Sequence, residues 1–427
     1  MRLVMVDVNP EVRSNFYPLS YSRPIWELRC GITSLAEKLI AKTGATDVAC
    51  FVPDYMAASY SAKTDMPVND VSVLSGDDLL LVDPRVKASS LDLPEGGPSK
   101  VAVDDDGNLL YARITKEDLP KLDSGDIAKL MDSAKSKLDK ADAKPETWDY
   151  TWDLVLASPH QIEADFKAAG RTGIEGEVEE PHAIRGAKGD VFIGKGAVIH
   201  PMVVLDAASG PIYLDEDVEV HPYTRIEGPC YVGKKSILLG AKCREGNSIG
   251  PVCRVGGEVE ESIIQGYSNK YHDGFLGHAY VGEWVNLGAL TTNSDLKNDY
   301  GNVEVMLPGR RPIDTGSTKV GSLIGDHTKT SIGTLLNTGS YVGAMALIMA
   351  TGKPLPKIIP SFAWFLEGVV TKGFGKNKLY GTAETAMGRR KCEWTEAEKA
   401  MWDAVFELTA PQRDDAVKRG RKRMLAR

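Results

Sequence analysis

The feature that most narrows the choice of fold is a six-residue register of small aliphatic side chains running from about Val191 to Ile348. Ile193, Ile199 and Leu205 open it, Leu214, Val220, Ile226, Val232 and Leu238 continue it, and Ile249 and Val255 carry it with slips. Ile324, Thr330, Leu336, Val342 and Ile348 then resume it. In a triangular parallel β-helix each flat side takes about six residues, one small side chain points inward, and a glycine or polar residue turns the corner. An antiparallel sandwich has no reason to hold that spacing over so many turns. The segment from Asn298 to Lys319, with Pro-Gly-Arg-Arg-Pro inside it, reads as a loop inserted into the coil, which a solenoid tolerates because each turn touches only its neighbours.

Ahead of the coil, apolar runs alternate with helical patterns, which predicts a parallel α/β (Rossmann-like) sheet. Leu3 to Val6, Val48 to Val52 and Val71 to Leu74 read as its strands, and Ser34 with Glu37 forms a capping box for a helix that Gly44 ends. Ile127, Leu130, Met131, Ala134 and Leu138 mark an amphipathic helix within 113–149. Trp152 to Leu156 reads as a further strand, with Ser158, Pro159 and Gln161 opening a helix that Gly170 closes. The weakly periodic segment from Arg171 to Gly189 is the expected boundary. After the coil, Pro354, Pro356 and Pro360 stop the register, and Thr395 with Glu398 caps a last helix carrying Met401, Ala404, Val405 and Leu408 on one face. The basic end from Lys418 to Arg427 complements a helix C-terminus. The expected organisation is an α/β domain over 1–180, a β-helix over 190–360 and an extension with a helix over 361–427.

Composition enters as an exclusion. With 59 acidic and 51 basic residues the formal charge is −8, so a general nucleic-acid or anionic-membrane surface is not expected and anionic ligands must be held by local groups. The six cysteines form no CxxC pair, as expected for reduced thiols. No run approaches 18 apolar residues, and a soluble cytoplasmic protein is the expectation.

The chemistry concentrates in Gly266 to Asp295, which holds His272 and His278 of the seven histidines. His272 stands in a polar, glycine-punctuated loop, and imidazole is the side chain suited to acid–base work near neutral pH. A single histidine is more often structural, so its neighbours must decide. In α/β sheets ligands lie beyond the carboxyl ends of the strands, which makes Arg13 and Arg23 and the turn Gly76-Asp77-Asp78 candidates for a nucleotide.

Those neighbours carry a resemblance. GAKCREG, VGGEVEESII, YSNKYHDGFLGHA and VNLGALTTN resemble the acetyltransferase half of the bifunctional GlmU class, which joins N-acetylglucosamine-1-phosphate uridylyltransferase to glucosamine-1-phosphate N-acetyltransferase. FYPLSYSRPIWELRCGITSLAEK and IIQGYSNKYHDGFLGHAYVGEWVNLGALTTNSDLKNDYG resemble a divergent GlmU-like subfamily of sugar nucleotidyltransferases. The resemblance implies a nucleotidyltransferase-like domain, a left-handed β-helix and a homotrimer whose sites are shared between subunits. It implies His272 as the catalytic base, Arg244, Lys270, Asn269 and Asn286 around the sugar phosphate, and Ala289 and Asn293 along acetyl-coenzyme A. Sugar 1-phosphate and nucleoside triphosphate are the implied substrates, with Mg2+ if the first domain turns over. Asp78 and Asp153 are the candidate magnesium ligands, and the N–H groups of Gly277 and Gly288 are candidate oxyanion donors.

Two departures stand out. Glu260, Glu261 and Ser262 occupy the stretch where the family has acceptor-binding lysines, and the glycine-rich Leu-x-x-Gly-x-Gly-Thr-x-Arg loop is absent. A non-catalytic sugar or nucleotide sensor or scaffold of the same fold is therefore an alternative. So is a γ-carbonic-anhydrase-like metal site, for which His272 and His278, six residues apart, would need a further ligand from a neighbouring chain.

Overall fold

The computed structural model describes residues 1–93, 96–349 and 352–425. From Gly173 the chain winds as a left-handed β-helix with three flat faces. One face is a ladder of ten strands running from Gly173–Ile174 to Ile358–Ile359, in parallel register throughout. The coil therefore starts inside the segment expected to be a linker. Gly173–Ile174 pairs with Val191–Ile193, and Ala183–Gly186 pairs with Val204–Ala207. The aliphatic register does what its spacing requires: Ile193, Ile199, Leu205, Leu214, Val220, Ile226, Val232 and Leu238 are buried in one continuous core. Fully burying such a side chain contributes roughly 1.5–3 kcal/mol, so the stack supplies most of the coil's cohesion.

The first domain is built on a six-stranded sheet of mixed direction. Arg2–Val6 runs parallel to Val48–Phe51 and Leu79–Val82, and Leu79–Val82 is antiparallel to Leu109–Ile114. The expected third strand, Val71–Leu74, is a 3-10 turn; the strand is the next apolar run, Leu79–Val82. The capping box at Ser34 and Glu37 and the left-handed Gly44 stand as the sequence predicts. Trp152 to Leu156 is not a strand. It lies in a single helix, Thr151–Ala169, that carries Pro159 inside it. A run of bulky residues is ambiguous between the two states, and here packing on the coil selects the helix.

That packing joins the domains. The middle residues of successive strands on the ten-stranded face point outward: Phe192, Tyr213, Tyr231, Ser248, Ile263, Tyr280, Leu323 and Tyr341 follow one another in register. All eight are buried. Phe16, Leu19, Ile25, Trp152 and Val155 cover the upper part of the column, and Phe166 reaches the lower aromatics. Polar bonds fix the register. Gln265 donates to Glu27 O at 2.8 Å, Ser248 donates to Gly31 O at 2.5 Å, and Arg23 pairs with Asp326 and Glu283.

The extension holds three helices, Lys376–Gly388, Glu396–Leu408 and Ala410–Leu425, where one was expected. Thr395 caps the second by accepting from the Glu398 N–H, and Lys422 and Arg423 sit in the last turn of the third. The final two residues of the basic end lie outside the described part. Among the described residues no helix is long and apolar enough to cross a membrane.

Candidate active site on the coil

His272 stands at one edge of the coil. The stacking is set by Tyr223, whose N–H donates to Met202 O, and by Leu290, whose N–H donates to Asp273 O. Between them the strands Ile237–Cys243 and Arg254–Glu260 turn through Gly240 and Gly257, both at positive φ. A Cβ at Gly257 would lie 2.8 Å from His272 O, so a side chain there would displace the loop. The His272 side chain is exposed, and among the described residues its ring has no hydrogen-bond partner. The same edge exposes Met202, Tyr223, Leu290 and Ile332.

Lys270 does not reach toward a ligand as the resemblance implies. Its Nζ is buried and donates to Gly256 O at 2.8 Å and His272 O at 2.6 Å, and burial pulls its pKa down to about 8. It props the His272 loop from beneath. Arg244 is half exposed and pairs with Glu260 at 2.5 Å, and Lys319 meets the other oxygen of Glu260 at 3.0 Å. Glu260, one of the residues standing in place of the family's lysines, thus anchors two cations. His278 is buried between Asp295 at 2.9 Å and Glu261 at 3.3 Å. Burial alone would lower its pKa, but the two carboxylates more than reverse that and hold it at about 9. With both ring nitrogens so engaged, His278 does not form a metal site with His272.

Two other expectations, Asn293 as a groove residue and the Gly277 and Gly288 N–H groups as oxyanion donors, need correction. Asn293 is buried and bonds back to the coil, accepting from Gly277 N and donating to Gly277 O at 2.8 Å each, so it does not line an acyl-donor groove. The Gly277 N–H is consumed by that bond, and the Gly288 N–H donates to Thr330 at 3.0 Å, so neither serves as an oxyanion donor. Ala289 is half-buried and its carbonyl accepts from Gly333 N.

Asn269 and Asn286 do meet. Asn269 Nδ2 donates to Asn286 Oδ1 at 3.2 Å, and Asn269 Oδ1 accepts from Arg390 at 3.0 Å. They floor a cavity of about 530 Å³ roofed by the helix Lys376–Gly388 and its C-terminal turn. Lys329, Lys378, Arg389 and Arg390 line it, and no lining residue is a carboxylate. Lys329 is half-buried and its Nζ donates to Trp284 O at 2.5 Å and His327 O at 3.1 Å; desolvation pulls its pKa down to about 8, so it is still mainly charged at neutral pH. Neighbouring Arg254 and Arg389 reinforce the burial that lowers the pKa of Arg390. The extension residues escaped sequence reading because their segment looks like a glycine-rich loop; the adjacent pair Arg389-Arg390 was the available signal.

In the first domain the predicted nucleotide residues are dispersed. Arg13 is buried against Asp7 and the Ser20 carbonyl, and Arg23 is spent on the coil carboxylates Asp326 and Glu283. Gly76 and Asp78 precede the strand Leu79–Val82 and so lie at its amino end, the opposite end from where such sheets bind ligands. Asp78 accepts from Lys116 N at 2.7 Å, and Asp153 caps its helix by accepting from the N–H groups of Asp149 and Tyr150. These two carboxylates do not fit a magnesium site. The carboxyl ends instead gather Asp7, Asp83, Arg85, Asp104 and Asn108. Burial raises Asp7 to about 7 against the opposing charge of Arg13. The apolar run Leu79–Val82 followed at once by Asp-Pro-Arg was the sequence signal for this cluster.

Parts of the chain are similar to known proteins. Residues 4–172 match the family model described as sugar nucleotidyl transferase. A bifunctional sugar-1-phosphate nucleotidylyltransferase/acetyltransferase of Sulfurisphaera tokodaii is 35% identical over 151 residues, which is 33% of this chain and 35% of that protein. The bifunctional protein GlmU of Methanocaldococcus jannaschii is 26% identical over 211 residues, 46% of this chain and 43% of that protein. That of an Acidithiobacillus ferrooxidans strain is 34% identical over 129 residues, 29% and 25% respectively. The chain thus spans between a quarter and just under half of these relatives' length. The solved Arabidopsis UDP-N-acetylglucosamine acyltransferase covers 57% of this chain and 93% of its own at 13% identity, with a TM-score of 0.24.

Proposed function

We propose that this chain is a GlmU-like transferase of phosphorylated sugars, moving an acetyl group from acetyl-coenzyme A to an amino sugar 1-phosphate at the coil edge, with His272 as general base. The observation that carries the reading is the groove over Asn269 and Asn286, which gathers four cationic side chains and no carboxylate in a chain of net charge −8. A concave site of one sign concentrates ligands of the opposite sign, and phosphate-bearing substrates are the fitting class. Lys378, Arg389 and Arg390 would hold the phosphates, Lys329 would supply fixed charge from the floor, and Asn269 and Asn286 would orient hydroxyls.

Acetyl-coenzyme A supplies the activated acyl group. The sugar amine nitrogen attacks the thioester carbonyl carbon, His272 takes the amine proton, and the C–S bond then breaks so that coenzyme A leaves as its thiolate and picks up a proton; a ring free of internal partners can serve as that base. Lys270 acts by positioning, because it holds the His272 carbonyl and not the ring. Arg244, half exposed, holds Glu260 tightly through Nη1 and Glu245 only loosely through Nη2 at 3.7 Å, so an acceptor phosphate would compete for its Nη2 side. The exposed apolar edge that carries His272 favours a homotrimer in which a neighbouring copy completes the site.

Nucleotidyl transfer by the first domain, from a nucleoside triphosphate to a sugar 1-phosphate with pyrophosphate leaving, is the companion reading, supported by the family match and the Asp83–Arg85 cluster. A non-catalytic first domain is favoured instead by the loss of Arg13 and Arg23 to internal ion pairs. Measuring coenzyme A and pyrophosphate release separately over a panel of sugar 1-phosphates and nucleoside triphosphates decides between them. His272→Ala is expected to lower coenzyme A release by about 10²- to 10⁴-fold while leaving pyrophosphate release unchanged. Undiminished coenzyme A release would exclude His272 as the base, and binding without either turnover would make the chain a sensor.

A further inference from the structure

Below the His272 level, the same side of the coil carries a second cluster that acyl transfer does not use. The strands Glu177–Val178, Val198–Ile199 and Glu219–Val220 pair in parallel, and the residues that follow them, Glu179, His200 and His221, stand above one another in successive turns. Their backbones are locked by the ladder: Glu179 N donates to Ile199 O, His200 N to Val220 O, and His221 N to Leu238 O. Glu219, two residues before His221, points to the same outward side because alternate residues of a strand share a face.

The side chains converge. His200 Nε2 lies 3.3 Å and His221 Nε2 3.2 Å from Glu219 Oε1, and the three ligating atoms lie within 4.8 Å of one another. Bonds of about 2.0–2.1 Å in tetrahedral geometry set ligand atoms about 3.3 Å apart, which is the spacing seen along both edges. His200 Nδ1 meets Glu179 Oε2 at 2.9 Å. A carboxylate that accepts the hydrogen bond from Nδ1–H fixes the tautomer whose Nε2 lone pair points to the opposite side, the arrangement that orients histidine ligands of metals. The two rings, 5.2 Å apart between centroids, are each about a third exposed or less, so one coordination position opens to solvent.

We propose that His200, Glu219 and His221 bind a divalent transition-metal cation of the zinc class, with Glu179 as the positioning carboxylate and water in the fourth position. Two imidazoles with one carboxylate select zinc, cobalt or nickel over magnesium or calcium, which prefer all-oxygen shells. A second group of close acidic residues among the described residues, Glu245, Glu260 and Glu261, is already matched by Arg244, Lys319 and His278. The site does not depend on the acyl-transfer reading.

The test uses the full chain stripped with a chelator and titrated with zinc chloride by calorimetry, with metal content counted after dialysis. One zinc per chain is expected, with a rise in the thermal midpoint that magnesium does not reproduce. His200→Ala and His221→Ala should each abolish stoichiometric binding, and Glu179→Gln should weaken it by about 10- to 100-fold. Cobalt added to the unmutated chain should give the strong visible absorption of a four-coordinate ion, a readout that needs no variant. No stoichiometric zinc, or wild-type affinity in the two histidine variants, would overturn the assignment and leave a proton-bridged cluster.

Discussion

Replacing His278 by Gln should flatten the pH dependence of coil stability between pH 6.5 and 9. The imidazole is 2% exposed and held between Asp295 and Glu261, and its pKa rises from 6.5 to about 9 on folding. A group whose affinity for its proton is raised by folding stabilises the folded state fully below its unfolded pKa and loses that stabilisation as pH climbs through the folded one. At about 1.4 kcal/mol for each tenfold change in proton affinity, the charged ring contributes roughly 3 kcal/mol below pH 6.5, about 2 kcal/mol at pH 7.5 and less than about 0.5 kcal/mol at pH 9. The lowered pKa values of Glu261 and Asp295 describe the same ion pairs from the other side, so the three contributions do not add. Urea unfolding of the wild type and of His278→Gln, followed by far-UV circular dichroism at half-unit pH steps, measures the difference directly. The gap should be largest near pH 6 and close by pH 9. A gap that stays constant across that range would show that His278 is neutral in the folded protein and refute the argument.

Two further outcomes follow from the same physics. Asp326→Ala leaves the Arg23 guanidinium buried with only the more distant Glu283, so domain docking should weaken by roughly 3–5 kcal/mol, read as faster proteolysis between the α/β domain and the coil. Gly257→Ala places a methyl in a left-handed residue, 2.7 Å from Lys270 Nζ and 2.8 Å from His272 O; it should cost roughly 1–3 kcal/mol and lower kcat for the proposed acyl transfer more than it raises KM.

The β-helix was legible because its periodicity is local. A side chain every six residues must face the same axis whatever surrounds it, so Ile193 through Ile348 could be placed inside without knowing any partner. Caps were legible for the same reason: Ser34, Gly44 and Thr395 act on atoms a few residues away. The motif around His272 likewise pointed to one edge of the coil, and the structure brings Asn269 and Asn286 together in a groove beside that level.

What only tertiary structure decided are the matters settled by distant groups. Trp152 to Leu156 could have been strand or helix, and the outward aromatic column of the coil selected the helix. Lys270, Asn293 and Arg23 have the chemistry of ligand-binding residues, but each is held by a nearer partner within the chain: Lys270 by the carbonyls of Gly256 and His272, Asn293 by Gly277, and Arg23 by Asp326 and Glu283. The cations of the groove come from Lys329 in the coil and from Lys378, Arg389 and Arg390 some fifty to sixty residues later in an extension helix. Likewise the pairing of His200 with His221 depends on one turn of coil closing over the next. Six-residue spacing could say that the chain winds, and only the wound coil shows which polar residues its turns stack together.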